Sequence, residues 1–204
     1  MNDMISRCAA LVLAVTTPTF AAVAVGESAP AFSAVDARGK SVNLADFKGR
    51  HVVLEWVNPG CPFVAKHYGA GNMQATQKKA VDKGVVWLAV NSTSKDHGDY
   101  RSPEAMSSWM SGHRAAASAT LMDSDGKVGR AYGARTTPHM YVIDPAGKLV
   151  YAGAIDSKAS ANAADIPVAT NHVNAALAET LAGKAISVVS TRPYGCSVKY
   201  SSSL

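Results

Sequence analysis

Apolar runs separated by turn-forming residues predict a chain that alternates strands and helices. Seven segments are apolar enough to form strands, and they cover residues 31–35, 40–44, 52–57, 85–90, 119–122, 139–143 and 148–151. The runs at 52–57 and 85–90 are apolar throughout, which is typical of strands buried on both faces of a parallel sheet. The first two segments flank a turn at 36–39 and the last two flank a turn at 144–147, so each pair predicts an antiparallel hairpin.

Helical segments lie between and after these strands, and they cover residues 62–68, 72–83, 103–110, 126–132 and 168–181. Pro62 suits the first position of a helix, and Asn72 and Ser102 suit helix caps. With right-handed crossovers, this order predicts one α/β domain, a three-layer sandwich with an N-terminal hairpin. Its mixed central sheet would be parallel in the middle and antiparallel at the edge.

The beginning of the chain has the features of a secretory signal. Arg7 supplies a positive charge, an apolar run follows it, and small residues at 20–24 suit cleavage. The run is far shorter than the ~20 residues of a membrane span. We therefore expect a signal peptide over 1–24, export to the periplasm or the medium, and no integral membrane segment. The alternative is that the segment is not cleaved and anchors the protein. After it, we expect one domain over 25–183 and a C-terminal tail over 184–204 that carries Cys196.

Charge and composition exclude some partners. The formal net charge is +5, from 20 Lys and Arg against 15 Asp and Glu, but these residues are scattered and only Lys78 and Lys79 are adjacent. No nucleic-acid module accompanies them, so we expect no nucleic-acid partner. The sequence predicts no cofactor.

Cys61 lies where a buried strand is followed by a helix. Asn58 and Pro59 begin a turn, and Pro62 begins the helix, so Cys61 falls at the N-cap or in the first turn. Free N–H groups and the positive end of the helix dipole stabilise a thiolate there, and the thiolate is the nucleophile. The position therefore predicts a reactive cysteine.

Cys196 is the second cysteine that would remain after removal of the signal, which contains Cys8. Two thiols in an exported protein are compatible with a disulfide, although sequence alone does not establish one. The bond could be a permanent constraint, or it could open and close during turnover, and these roles need opposite redox potentials.

Three parts of the sequence form recognisable motifs: residues 25–32 with 39–40 and 44–49, residues 56–64, and residues 136–144. Together they resemble the thioredoxin-fold superfamily, and within it the redoxins related to alkyl hydroperoxide reductases. The resemblance implies a thioredoxin-like fold and a cis peptide bond between Thr137 and Pro138. It also implies that these two residues dock an extended substrate opposite the nucleophile.

The chain departs from both common catalytic patterns. Thioredoxins carry a second cysteine three residues after the first, where this chain has Val64. Peroxiredoxins carry Pro and Thr or Ser where this chain has Leu54 and Asn58. The segment instead resembles a peroxiredoxin-like subgroup with Asn-Pro-x-Cys-Pro-Phe-Val and a Gly-Cys-Ser motif near the C-terminus, which Cys196 fits.

The leading hypothesis is an exported thiol–disulfide redox protein. Cys61 attacks, Cys196 resolves, and Glu55, at the position of the buried acid of thioredoxins, assists proton transfer. The partner would be a protein disulfide or thiol, or a peroxide, together with an external reductant. The alternatives are a thiol peroxidase and a non-enzymatic module that binds a partner protein or copper, with a structural disulfide.

Other polar residues near these motifs carry weaker expectations. We expect His67 to be a surface histidine and Arg135 to be solvated. His139 and Met140 include soft ligand types suited to copper, but adjacent strand residues point to opposite faces, so no metal site is predicted.

Overall fold

The computed structural model describes residues 23–202, and its centre is a seven-stranded sheet of order β2-β1-β5-β4-β3-β7-β8. These strands are β1 (Ser33–Asp36), β2 (Ser41–Asn43), β3 (Val52–Trp56), β4 (Val86–Asn91), β5 (Ala119–Met122), β7 (His139–Ile143) and β8 (Leu149–Gly153). Two further strands, β6 (Thr136–Thr137) and β9 (Cys196–Ser197), form a small separate sheet.

The middle of the large sheet is parallel and its two sides are antiparallel. Strand β4 runs parallel to β3 and to β5, while β7 and β8 on one side and β1 and β2 on the other run antiparallel to their neighbours. The predicted mixed sheet with an N-terminal hairpin is therefore confirmed.

The described chain also contains five α-helices: α1 (Pro62–Gly69), α2 (Asn72–Val81), α3 (Pro103–Gly112), α4 (Lys127–Tyr132) and α5 (His172–Leu181). One predicted helix cap and one predicted helix start were wrong. Gly71, with a positive φ of 72°, is the N-cap of α2, and the Asn72 side chain bonds to His67 instead. Helix α5 begins four residues later than predicted because Asn171 caps it, with its side chain accepting from the Asn174 N–H.

Alternate residues of the central strands feed two hydrophobic cores. Val53, Trp87 and Val142 face a core closed by α1, α2, α3 and α5. Leu54 and Leu88 face the opposite core, which α4 and the N-terminal segment close. This is the predicted three-layer arrangement.

The tail after α5 is mostly irregular, as predicted, but its backbone is bonded to the domain. Ser190 bridges to Ala152, β9 pairs with β6, and the Ser94 N–H donates to the Lys199 carbonyl over 2.8 Å. Between residues 23 and 202, no helix combines the length and the apolarity that a membrane span requires. The predicted signal peptide falls almost wholly outside the described residues.

Candidate functional site

Cys61 is the N-cap residue of α1, as predicted. Its backbone is extended, Pro62 occupies the first helical turn, and the Cys61 N–H donates to the Asn58 carbonyl over 3.0 Å. The chain turns here because β3 has just ended and the Asn58 side chain accepts from the Gly60 N–H over 2.8 Å. This turn, with Pro59 half-buried within it, places the sulfur at the mouth of the helix.

The Cys61 sulfur faces the proline loop. Its thiol donates to the Thr137 carbonyl over 2.9 Å, and the Thr137–Pro138 peptide bond is cis, as the resemblance implies. Only 1% of Cys61 is exposed. Oxidants and partner thiols therefore reach this sulfur only past the segments that cover it.

Cys196 contacts the same loop. In the β6–β9 pair, Cys196 is the register partner of Thr137, and the Thr137 hydroxyl donates to the Cys196 carbonyl over 3.5 Å. Both cysteines are free thiols, and Cys196 is half-buried against the core that contains Cys61. The fold thus brings together two thiols that are 135 positions apart in the chain.

The surroundings favour ionisation of Cys61 over that of Cys196. Burial raises the pKa of Cys61, but hydrogen bonding by the Thr137 side chain, by Cys196 and by the Val64 backbone more than offsets it, so the pKa lies below the ordinary thiol value. Burial raises the pKa of Cys196 to about 11, and the neighbouring Cys61 sulfur adds to the increase. Cys61 is therefore the better nucleophile of the two in the dithiol state.

The three departures from the common patterns have structural consequences. The side chain of Leu54 is buried in the core on the far side of the sheet, and Val64 is buried in the near core. The Asn58 amide donates to Asp99 over 3.2 Å. Since Asn58 is occupied within the turn and with Asp99, its amide is not free to take the place of the peroxiredoxin hydroxyl.

Glu55 is a fully buried residue of β3, with a pKa that burial raises despite three hydrogen bonds. Its Oε1 accepts from the Tyr68 hydroxyl over 2.8 Å, and its Oε2 accepts from Gln77 over 2.9 Å and from the Trp87 indole over 2.7 Å. None of these partners bonds to the Cys61 sulfur. These three hydrogen bonds explain how an acidic side chain can be buried in this core. Proton transfer by Glu55 to or from Cys61 stays a prediction.

A buried polar cluster around His67 was not predicted, and the expectation of a surface histidine was wrong. His67 is 0% exposed and contacts the Tyr194 hydroxyl over 3.2 Å, while the Lys66 ammonium lies 3.6 Å from an Asp156 carboxylate oxygen. The burial of this cluster was not predicted because adjacent Lys and His residues on a helix are typical of a solvent-exposed face.

The remaining candidates lie beside the proline loop. Arg135 is exposed, as expected, and its carbonyl accepts from the Val198 N–H of the tail over 3.0 Å. His139 is buried, and its Nδ1 lies 3.1 Å from the Tyr141 hydroxyl. Burial lowers the pKa of His139 to about 3, so the ring is neutral. Within 23–202, no three His, Cys, Asp or Glu side chains are grouped as they would be for a metal ion.

The fold and the cysteine at the helix mouth define a thioredoxin-like protein. The model of the AhpC/TSA family matches residues 25–152, and the chain belongs to that family.

Individual relatives extend this result. The thiol-disulfide oxidoreductase ResA of Bacillus subtilis is 27% identical over 135 residues, which are 63% of this chain and 66% of that protein. The crystal structure of an uncharacterized conserved protein from Geobacillus kaustophilus aligns with a TM-score of 0.75 and 27% identity, over 89% of this chain and 94% of that one. The thioredoxin domain of a thiol-disulfide oxidoreductase from Bacteroides vulgatus aligns with a TM-score of 0.51 and 27% identity, over 64% of this chain and 89% of that one.

Proposed function

We propose that this protein is an exported thiol–disulfide redox protein whose working pair is Cys61 and Cys196. The observation that carries the proposal is that both cysteines contact Thr137. The Thr137 carbonyl accepts a hydrogen bond from the Cys61 thiol, and Thr137 is the register partner of Cys196. The kinship with thiol-disulfide oxidoreductases supports the same activity.

The reaction follows from the order of the two thiol pKa values. The Cys61 thiolate attacks a substrate disulfide, forms a mixed disulfide with one sulfur and releases the other as a thiolate. The Cys196 thiolate then attacks the Cys61 sulfur, forms the Cys61–Cys196 disulfide and releases the second substrate thiolate. The substrate gains two electrons, and an external dithiol returns two electrons to the protein.

The high pKa of Cys196 suits its place as the second nucleophile. Burial and then Cys61 raise the pKa of Cys196 to about 11, and Lys199 acts in the opposite direction. When Cys61 is bonded to a substrate sulfur it carries no charge, so its contribution disappears. Cys196 therefore ionises more easily at the step in which it attacks.

The test is oxidation of the reduced protein by a glutathione redox buffer, with the Cys61–Cys196 bond identified by mass spectrometry. We expect a reduction potential of roughly −200 mV, since structural disulfides lie below about −300 mV. Cys61→Ser should abolish exchange, and Cys196→Ser should stop the reaction at the mixed disulfide. A pair that never forms a disulfide, or one that glutathione cannot reduce, would contradict the proposal.

A thiol peroxidase is the second candidate, because the tail already occupies the Thr137 backbone edge. An extended peptide finds no free partner there, whereas a small hydroperoxide needs none. The Cys61 thiolate would attack the O–O bond, leaving a sulfenic acid and releasing an alcohol or water. Condensation with Cys196 would then give the disulfide and water. Peroxide consumption at the rate of free cysteine would exclude this candidate.

Export rests on residues 1–24, which carry the features of a signal peptide. Expression in a bacterium with a periplasm, followed by N-terminal sequencing, tests it. We expect the mature chain to begin near Val25 and to be recovered in the periplasmic fraction. A chain that keeps Met1 and stays in the cytoplasm would contradict export.

A further inference from the structure

Tyr194 ties the cysteine-bearing tail to the body of the domain. Its hydroxyl donates to Asp156 Oδ1 over 2.5 Å, and its ring packs edge-on against Phe63 with centroids 5.8 Å apart. Tyr194 stands two residues before Cys196. A displacement of the tyrosine therefore moves the thiol.

The orientation of His67 is fixed by its other neighbour. The Asn72 amide nitrogen lies 2.7 Å from His67 Nδ1, and an amide nitrogen can only donate, so Nδ1 accepts and Nε2 carries the hydrogen. Nε2 then donates to the Tyr194 oxygen. Burial lowers the pKa of His67 to about 4 although Asp156 opposes the change, and Lys66 contributes to the lowering, so the ring stays neutral.

Asp156 is held in place by groups that do not belong to the tail. Its Oδ1 also accepts from the Lys158 N–H over 2.9 Å, and its Oδ2 lies 3.6 Å from the Lys66 ammonium. The Lys66 ammonium in turn donates to the Lys158 carbonyl over 3.2 Å. The side chains of Lys66 and Asp156 are 0% and 3% exposed, so solvent does not weaken this anchor.

The helix that presents the first thiol also holds the segment that carries the second. Helix α1 has Cys61 as its N-cap, and Phe63 and His67 on the same helix contact Tyr194. On the basis of the proposed function, we propose that Tyr194 is a positioning residue that sets how readily Cys196 closes a disulfide with Cys61. It acts by holding the tail turn against α1, and it does not touch the reacting sulfurs.

The experiment is Tyr194→Phe in the full chain with Cys8→Ser, equilibrated in glutathione buffers. The substitution keeps the ring and deletes the hydroxyl that bonds to a carboxylate. We expect the equilibrium constant for the Cys61–Cys196 disulfide to fall about tenfold. In stopped-flow measurements, closure of the Cys61–glutathione mixed disulfide should slow by a similar factor, while the first attack by Cys61 is not slowed. A general loss of stability would not slow closure by Cys196 while leaving the first attack by Cys61 unchanged.

Matched variants keep the inference falsifiable. Tyr132→Phe deletes a buried hydroxyl that bonds to the Pro30 carbonyl over 2.8 Å on the other face of the sheet, and it should keep the wild-type constant. His67→Gln keeps an N–H for Tyr194 and should stay near wild type, whereas His67→Leu should behave like Tyr194→Phe.

Three results would overturn the inference. One is a Tyr194→Phe constant within twofold of wild type, another is an equal fall in Tyr132→Phe, and the third is an equal fall in His67→Gln and His67→Leu. Absence of the disulfide in the wild-type chain is a different result, because it overturns the proposed function itself.

Discussion

Thr137 and Cys196 are register partners in the β6–β9 pair, although 59 positions separate them in the chain. The tail thus occupies the backbone edge at which the family resemblance predicts an incoming substrate to pair. In the dithiol state the protein's own tail is therefore paired with the proline loop. Departure of the tail would expose both the proline loop and the Cys61 sulfur.

Gly195→Ala should detach the tail. Gly195 has a φ of +134°, and a Cβ at this position would overlap the Thr137 carbonyl oxygen, so alanine is excluded by both conformation and space. We expect Cys61 to react with iodoacetamide at least tenfold faster, because the thiol loses its cover. Formation of the Cys61–Cys196 disulfide should slow by a similar factor.

The control is Gly112→Ala, at the end of α3, where a Cβ would have no neighbour within 4 Å and φ is not positive. Both rates should match wild type in this variant. If Gly195→Ala left the alkylation rate of Cys61 unchanged, the tail would not be the barrier to this sulfur.

The two thiols should report on each other when titrated. Hydrogen bonding by Cys196 lowers the pKa of Cys61, and Cys61 raises the pKa of Cys196. We therefore expect Cys196→Ala to raise the pKa of Cys61, and Cys61→Ala to bring the pKa of Cys196 down from about 11. Thiolate ultraviolet absorbance followed against pH, in a Cys8→Ser background, measures both shifts. Unchanged values in both variants would show that the thiols do not interact.

Much of the fold follows from local patterns in the sequence, because the strands and most helix ends are set by neighbours in the chain. The apolar run of β3 and the order Asn58, Pro59, Pro62 place Cys61 at a helix mouth without any knowledge of the rest. The tail is different, since its position depends on backbone pairing and on space left by distant glycines. Ring and hydroxyl atoms of Tyr200, for example, fill the room that Gly129 leaves open.

The polar cluster at α1 escaped prediction for a related reason. Lys66 and His67 are polar residues on a helix, and periodicity assigns such residues to solvent. Their burial depends on Asp156 and Tyr194, which arrive from segments about 90 and 130 positions away. No local pattern contains that information.

Glu55 offers a test that separates packing from proton transfer. Glu55→Leu removes the acceptor from three buried donors, and each unsatisfied donor costs about 1–3 kcal/mol, so the free energy of unfolding should fall by at least ~3 kcal/mol. Glu55→Gln can still accept from Trp87 and Gln77 and donate to the Tyr68 oxygen, and it should fold. Proton transfer by Glu55 requires disulfide exchange in Glu55→Gln to slow by about a hundredfold. If Glu55→Gln exchanged disulfides at the wild-type rate, Glu55 would have a structural role only.

His67 should make the protein less stable in mild acid. Its pKa is near 6.5 in the unfolded chain and about 4 in the fold, so between these values the unfolded chain binds more protons and the free energy of unfolding falls as pH falls. The shift corresponds to about 3 kcal/mol, lost between pH 6.5 and pH 4 and constant below. Urea unfolding of His67→Gln across this range should show a flatter pH dependence than wild type by about that amount. Equal slopes in His67→Gln and wild type would mean that His67 takes up its proton at the same pH in the folded and unfolded chains, and this would contradict a buried ring that stays neutral.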